Sequence, residues 1–183
     1  MIILASMAEQ ISLPHPRKLY STLREASSTQ ARAQEALDFL RTCTSSDSGF
    51  LFVWRGNDLA LAASTGGAVP PADVIAEAKR TWDRELDRQP DDNKTLELST
   101  IETLRKTQES PLWKSADGEL FERRLLSIYR NTGWTPVGLV MLRAKEGRAL
   151  VPIRQVHIEA LCNALLDSGD VQDRSVPPQP RPA

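Results

Sequence analysis

Hydrophobic positions along this chain change period several times, and each change marks an element. Between residues 17 and 44, Leu19, Leu23, Ala26, Ala33, Leu37 and Leu40 recur at alternating steps of four and three, with only Gln30 breaking the stripe. That spacing predicts one long amphipathic helix. Its start lies either after Pro16 or at Thr22, which has capping-box spacing to Glu25. "SSDSG", 45–49, ends it. In "GFLFVWRGNDLALAAST", 49–65, the period drops to two. Phe50, Phe52 and Trp54 fall on one side, Leu51 and Val53 on the other, and Arg55-Gly56-Asn57-Asp58 turns the chain into a second alternating run. This is a β-hairpin apolar on both faces, so both faces need a cover.

After "GGAVPP" a helical period returns over about 71–88, with Ile75, Ala78, Trp82 and Leu86 as its apolar stripe and two prolines at its start. "RQPDDNK" reads as a loop and "TLELST" as a short strand; "IETLRKTQES" carries no period that decides its conformation. "LWKSADG" is a turn-rich connection holding Trp113. Strands follow at 119–130 and 135–145, joined through Asn131-Thr132-Gly133. "VGLVML" is apolar at every position and predicts a central strand covered on both sides. A last helix runs from Pro152 to about Ser168, with Ile153, Val156, Ala160, Leu161, Ala164 and Leu165 inward and Gly169 as its stop. Antiparallel hairpins flanked by helices predict an α+β fold rather than a parallel α/β sheet.

The ends differ in character. Residues 1–16 form a proline-bounded arm. Its opening "MIILAS" lacks the basic leader of a signal peptide, and reads as a weak first strand, a cloning scar or an artefact of start-site choice. Residues 170–183 contain "PPQPRP" and almost no large apolar side chains. Ordering such a tail costs ~1–2 kcal/mol per residue with little burial to offset it, which predicts disorder. "PPQPRP" also has the composition of an extended polyproline ligand for an aromatic-lined groove. The domain proper is expected at 17–169.

Composition narrows the class. The chain has 183 residues, 40% hydrophobic and 26% charged, with a formal charge of −1. These values fit an ordinary globular protein with no general pull towards nucleic acid or anionic membrane. No apolar run approaches the ~20 residues of a membrane-spanning helix. Two cysteines, Cys43 and Cys162, make no disulfide framework. The expectation is a cytoplasmic protein.

The order of elements, with "ALDFLRTCTSSDSGFLFVWRGNDLALAAS" at 36–64 and "LLSIYRNTGWTPVGLVMLRAKEGRALVPIRQVHIEALCNALLD" at 125–167, resembles a GAF domain across about residues 20–168. The resemblance implies an antiparallel sheet with the first and last helices side by side on one face. Shorter helices and loops cover the other face, often around a small-molecule pocket. The sites of other GAF domains do not carry over. Asn93-Lys94 is followed by "TLELST" rather than by the Phe and Asp-Glu elements of the cyclic-nucleotide branch. Cys43 and Cys162 lie on the terminal helices, away from where bilin-binding or methionine-sulfoxide-reducing relatives need cysteine.

Candidate chemistry is sparse. There is no phosphate-binding loop, nucleophile elbow or zinc-ligand spacing, and no cofactor is expected. His15 sits in the arm; His157, at the edge of a buried stripe, reads as a core histidine bonded to a carbonyl or water rather than as a ligand. "STGGAVPP" could expose N–H groups to an anion at a helix start, but more simply turns the chain. The ligand-pocket candidates are Trp82, Trp113, Arg123 and Ser127. Arg123 projects among pocket-side residues, to pair with a ligand's carboxylate or phosphate or to reach water along its stem. From 121 to 154, seven basic residues face two acidic ones, a bias suited to an acidic protein partner rather than to DNA.

These readings predict a non-catalytic signalling or regulatory module working through protein–protein contact, with itself or with a signalling partner. A small-molecule sensor, with its ligand between the sheet and the 71–113 region, is the alternative. Alanines at 31, 33, 36, 160 and 164 suggest a homodimer through helices 17–44 and 152–168, or tight packing on the domain's own sheet. In the dimer, Leu37→Glu would break the pairing.

Overall fold

A computed structural model of the chain describes residues 13–87, 112–130, 133–144 and 150–167. Helix α1 spans Pro16–Glu25 and α2 spans Thr29–Thr44. The single helix expected over 17–44 is thus two helices. Ser28, in extended backbone, accepts a hydrogen bond from the Ala31 N–H at 3.0 Å and starts a new helix, because a serine there satisfies a donor that the helix start leaves orphaned. Thr22 and Glu25 both lie inside α1, whose own start is set by Pro16 and by the His15 ring, which accepts from the Arg17 N–H. The break falls beside Gln30, where the apolar stripe was interrupted. Arg32 holds the corner: its guanidinium donates to the carbonyls of Leu23 at 2.9 Å, near the end of α1, and of Ala164 at 3.2 Å.

Strands β1 (Gly49–Arg55) and β2 (Asp58–Ser64) form the expected hairpin. Helix α3 covers Ala72–Asp87. Strands β3 (Leu112–Lys114), β4 (Leu120–Arg130) and β5 (Gly133–Arg143) precede helix α4 (Gln155–Leu166). The five strands make one antiparallel sheet in the order β2-β1-β5-β4-β3. This is an α+β fold, with "VGLVML" in the central strand. Gly138 is required there by close approach: a Cβ on it would lie 2.3 Å from the Phe52 carbonyl oxygen of β1.

Two cores sit on opposite faces of the sheet. One joins Leu51, Val53, Leu126, Val140 and Leu142 to α1, α2 and α4 through Leu23, Leu37, Leu40 and Leu161. The other joins Phe50, Phe52, Phe121, Leu139 and Met141 to α3 through Val74, Ala78 and Trp82. Side-chain alternation in β1 matches the two-faced reading of the hairpin, and the terminal helices share one face as expected.

Tyr20 donates its hydroxyl to Asp167 and closes α1 against the end of α4; this bond holds the phenol above its usual range. The expectations for "MIILAS", "TLELST", "IETLRKTQES", Asn93-Lys94 and the tail from 170 lie outside the described residues.

Candidate functional site

Three of the four pocket candidates lie on the α3 side of the sheet. Trp82 is fully buried and stacks on Trp54 of β1, ring centres 5.3 Å apart at 20°. Trp113 on β3 is half-buried and tilts against Phe121 at 6.2 Å. Arg123 on β4 reaches the Glu77 carboxylate of α3, with side-chain exposures of only 11% and 3%. Ser127 is not part of this group. It is half-buried at a β-bulge opposite Pro136, about 13 Å further along β4 at ~3.3 Å per residue.

Glu77 is the residue that sequence reasoning missed. The stripe expected on α3 was Ile75, Ala78, Trp82 and Leu86, but the helix is rotated so that Val74, Glu77, Ala78 and Trp82 are buried and Ile75 is 45% exposed. Trp82 and Ala78 belong to both phases. Turning Val74 inward lets Glu77 meet Arg123, so the ion pair and the apolar contact select the same phase. The legible signal was an acidic residue in step with an apolar stripe, opposite an arginine in step with an apolar strand face. Arg80 also donates to Glu77, and the Thr81 hydroxyl lies 3.4 Å from it. Arg123 therefore does not run out to water; its charge meets a carboxylate of the same chain.

Three of the five described cations of the 121–154 stretch are paired within the chain. Arg123 pairs with Glu77, Arg124 with Glu122, and Arg143 with Glu119. Arg124 also donates to the Val151 carbonyl at 3.0 Å. The "STGGAVPP" loop turns the chain: Gly66 and Gly67 have φ of 62° and 70°, a region that side chains disfavour. At the start of α3 the Asp73 carboxylate already accepts from the N–H groups of Val74 and Ala116, at 3.0 and 2.6 Å, so a fixed negative charge occupies the place an anion would take.

Among the described residues, the cysteines and His157 lie apart from the Glu77 cluster. Cys43 on α2 and Cys162 on α4 are buried among the terminal helices, and burial pushes their thiols up to about 11 and about 12. For Cys162 the Glu159 charge adds to the burial effect. His157 is buried on the same side, stacked near Phe39, and donates from Nε2 to the Pro14 carbonyl at 3.0 Å. That is the core histidine expected, and it pins the end of the arm to α4. Among the described residues, no three His, Cys, Asp or Glu side chains are grouped to hold a metal ion, and no helix is long and apolar enough to cross a membrane.

The dimer expectation changes in its particulars. Ala33, Ala36, Leu37 and Ala164 are all spent in the chain's own core. Leu37→Glu would therefore put a charge in that core and unfold the domain, whatever its oligomeric state.

No family model matches this chain, and no curated protein matches it in sequence.

Proposed function

We propose that this chain is a GAF-like, non-catalytic regulatory module that acts through protein–protein contact, with itself or with a signalling partner. One observation carries the reading: the space between the sheet and α3, where a sensor of this architecture would hold a ligand, is occupied by the chain's own groups. Trp82 fills it with a buried indole, and Glu77 neutralises the arginine that faces it. What such a domain offers to others is then its surface. The surface includes α4, where Val156, expected to face inward, is exposed at the start of the helix.

Native mass spectrometry of the purified full chain, beside a denatured control, tests this. The reading expects apo mass, in a dimer or a complex with a captured partner. Extra mass that disappears on denaturation would replace it with the sensor reading.

One feature favours that second reading. The Trp82 indole N–H is buried and has no acceptor among the described residues, and leaving such a donor unpaired costs about 1–3 kcal/mol. A small ligand with a carbonyl or hydroxyl at that point would satisfy it. Trp82→Phe would then weaken ligand retention.

A further inference from the structure

Strands β4 and β5 run on beyond the rest of the sheet. Pairing of β1 with β5 stops at Val53 opposite Gly138, whereas β4 and β5 continue to Arg130 opposite Gly133. On this two-stranded ribbon Tyr129 and Trp134 are cross-strand partners, rings edge to face at 5.6 Å and 71°. They remain 58% and 52% exposed. Ile128, between them and the sheet, points into the core shared with α1, α2 and α4, so the aromatic pair stands on the opposite side, the side of α3.

We propose that this pair is the docking site for the chain's own proline-rich segment, Pro177–Pro182. The chemistry fits: proline rings pack flat on tyrosine and tryptophan faces, and an extended polyproline segment needs no partner strand and loses little entropy on binding. Charge does not favour another occupant. Arg130 is the only cation described at the tip, and alternation directs it to the face away from Tyr129, so neither a nucleic-acid backbone nor an acidic peptide finds a cluster of cations there.

The length of the chain also puts the segment within reach of the pair, around the end of the sheet from the face that carries α4. The tight connection from α2 into β1 makes the two antiparallel, so the start of α2 lies over the Arg55 end of β1. Arg32, near that start, bonds the Ala164 carbonyl in the last turns of α4. Helix α4 therefore ends at the same end of the sheet as the ribbon. Asp167 and Pro177 are ten residues apart in sequence, a span of up to about 33 Å. A tether of that length gives an effective concentration of about 1 mM, so a contact of only about 0.1 mM affinity is filled roughly ten to one. The docked segment covers the aromatic pair until a competing proline-rich sequence displaces it. This contact is independent of whether the domain self-associates or binds a ligand under α3.

The test uses the full chain labelled with fluorotryptophan, whose four indoles are resolved by fluorine NMR, with Trp134 assigned by loss of its signal in Trp134→Phe. Combined Pro177→Ala, Pro178→Ala and Pro180→Ala should shift the Trp134 signal and leave those of Trp54 and Trp82 in place. Adding the synthetic peptide SVPPQPRPA to that variant should return the signal, saturably, to its original position. A Trp134 signal unmoved by the tail substitutions overturns the proposal. So does a shift that vanishes when the unsubstituted chain is diluted, since the occupant would then be the tail of a second copy.

Discussion

Glu77 shows how one side chain fixes the arrangement around it. Its carboxylate is buried with Arg123 and is held also by Arg80, so removing it alone takes a charged partner from a buried guanidinium. Glu77→Ala should lower the unfolding free energy in urea by about 3–5 kcal/mol, whereas Glu77→Leu combined with Arg123→Met should recover most of that loss. A loss from Glu77→Ala below about 1 kcal/mol would mean that the pair is solvated in solution. The thiols give a second residue-scale outcome. Burial holds the Cys162 thiol up at about 12 in the folded chain, while an unfolded thiol titrates near 9.0. Above that value the unfolded state binds fewer protons than the folded one, so stability falls as pH rises from about 9 towards 12. The loss of stability between pH 8 and pH 10, from urea midpoints, should be smaller in Cys162→Ala than in the parent chain. Equal losses would show that the thiol does not contribute.

At the scale of elements, the terminal-helix face depends on how the chain stops and restarts. Helix α2 ends with Ser45 in the left-handed region at φ 58°, where its N–H and that of Ser46 bond the carbonyls of Thr42 and Arg41. A side chain there costs ~1–2 kcal/mol that glycine avoids. Ser45→Gly should therefore raise the thermal midpoint; a lowered midpoint would mean that the serine hydroxyl contributes more than the strain costs. The same face shows why one helix had been expected over 17–44. Leu19, Leu23, Leu37 and Leu40 do line a single core, and both helices present apolar residues to it. A stripe therefore persists in the sequence across a change of direction. Ser28 decides where the chain turns, through a hydrogen bond that periodicity does not encode.

For the whole molecule, the two faces of the sheet divide the work. One carries three helices tied by Arg32, Tyr20 and His157; the other carries α3 over an aromatic and ionic layer. If the module works by contact, the relevant positions are exposed ones. Val156→Glu puts a carboxylate at the start of α4, where the helix dipole favours it. Its melt should stay within about 0.5 kcal/mol of the parent, as surface substitutions generally do. If α4 forms the self-contact, light scattering of this variant should fall to the monomer mass; an unchanged oligomer would move the interface elsewhere.

The hairpins over 49–64 and 120–143, the central strand and the two-sided burial of "GFLFVW" were legible because alternation reports which side of an element faces the core, and that property is local. Strand β3, read as a turn-rich connection, and Val156, expected inward but 52% exposed, were not. The placing of Trp82, Trp113 and Arg123 on one side of the sheet followed from the same signal. The partner of Arg123 did not, because Glu77 is 46 residues away. No local pattern reveals which distant charge will be brought within reach. The sequence alone thus determined which elements must bury a face. Tertiary structure decided what they are buried against: α3 settled into the phase that buries Val74 and Trp82 while joining Glu77 to Arg123, since only packing makes a buried carboxylate tolerable.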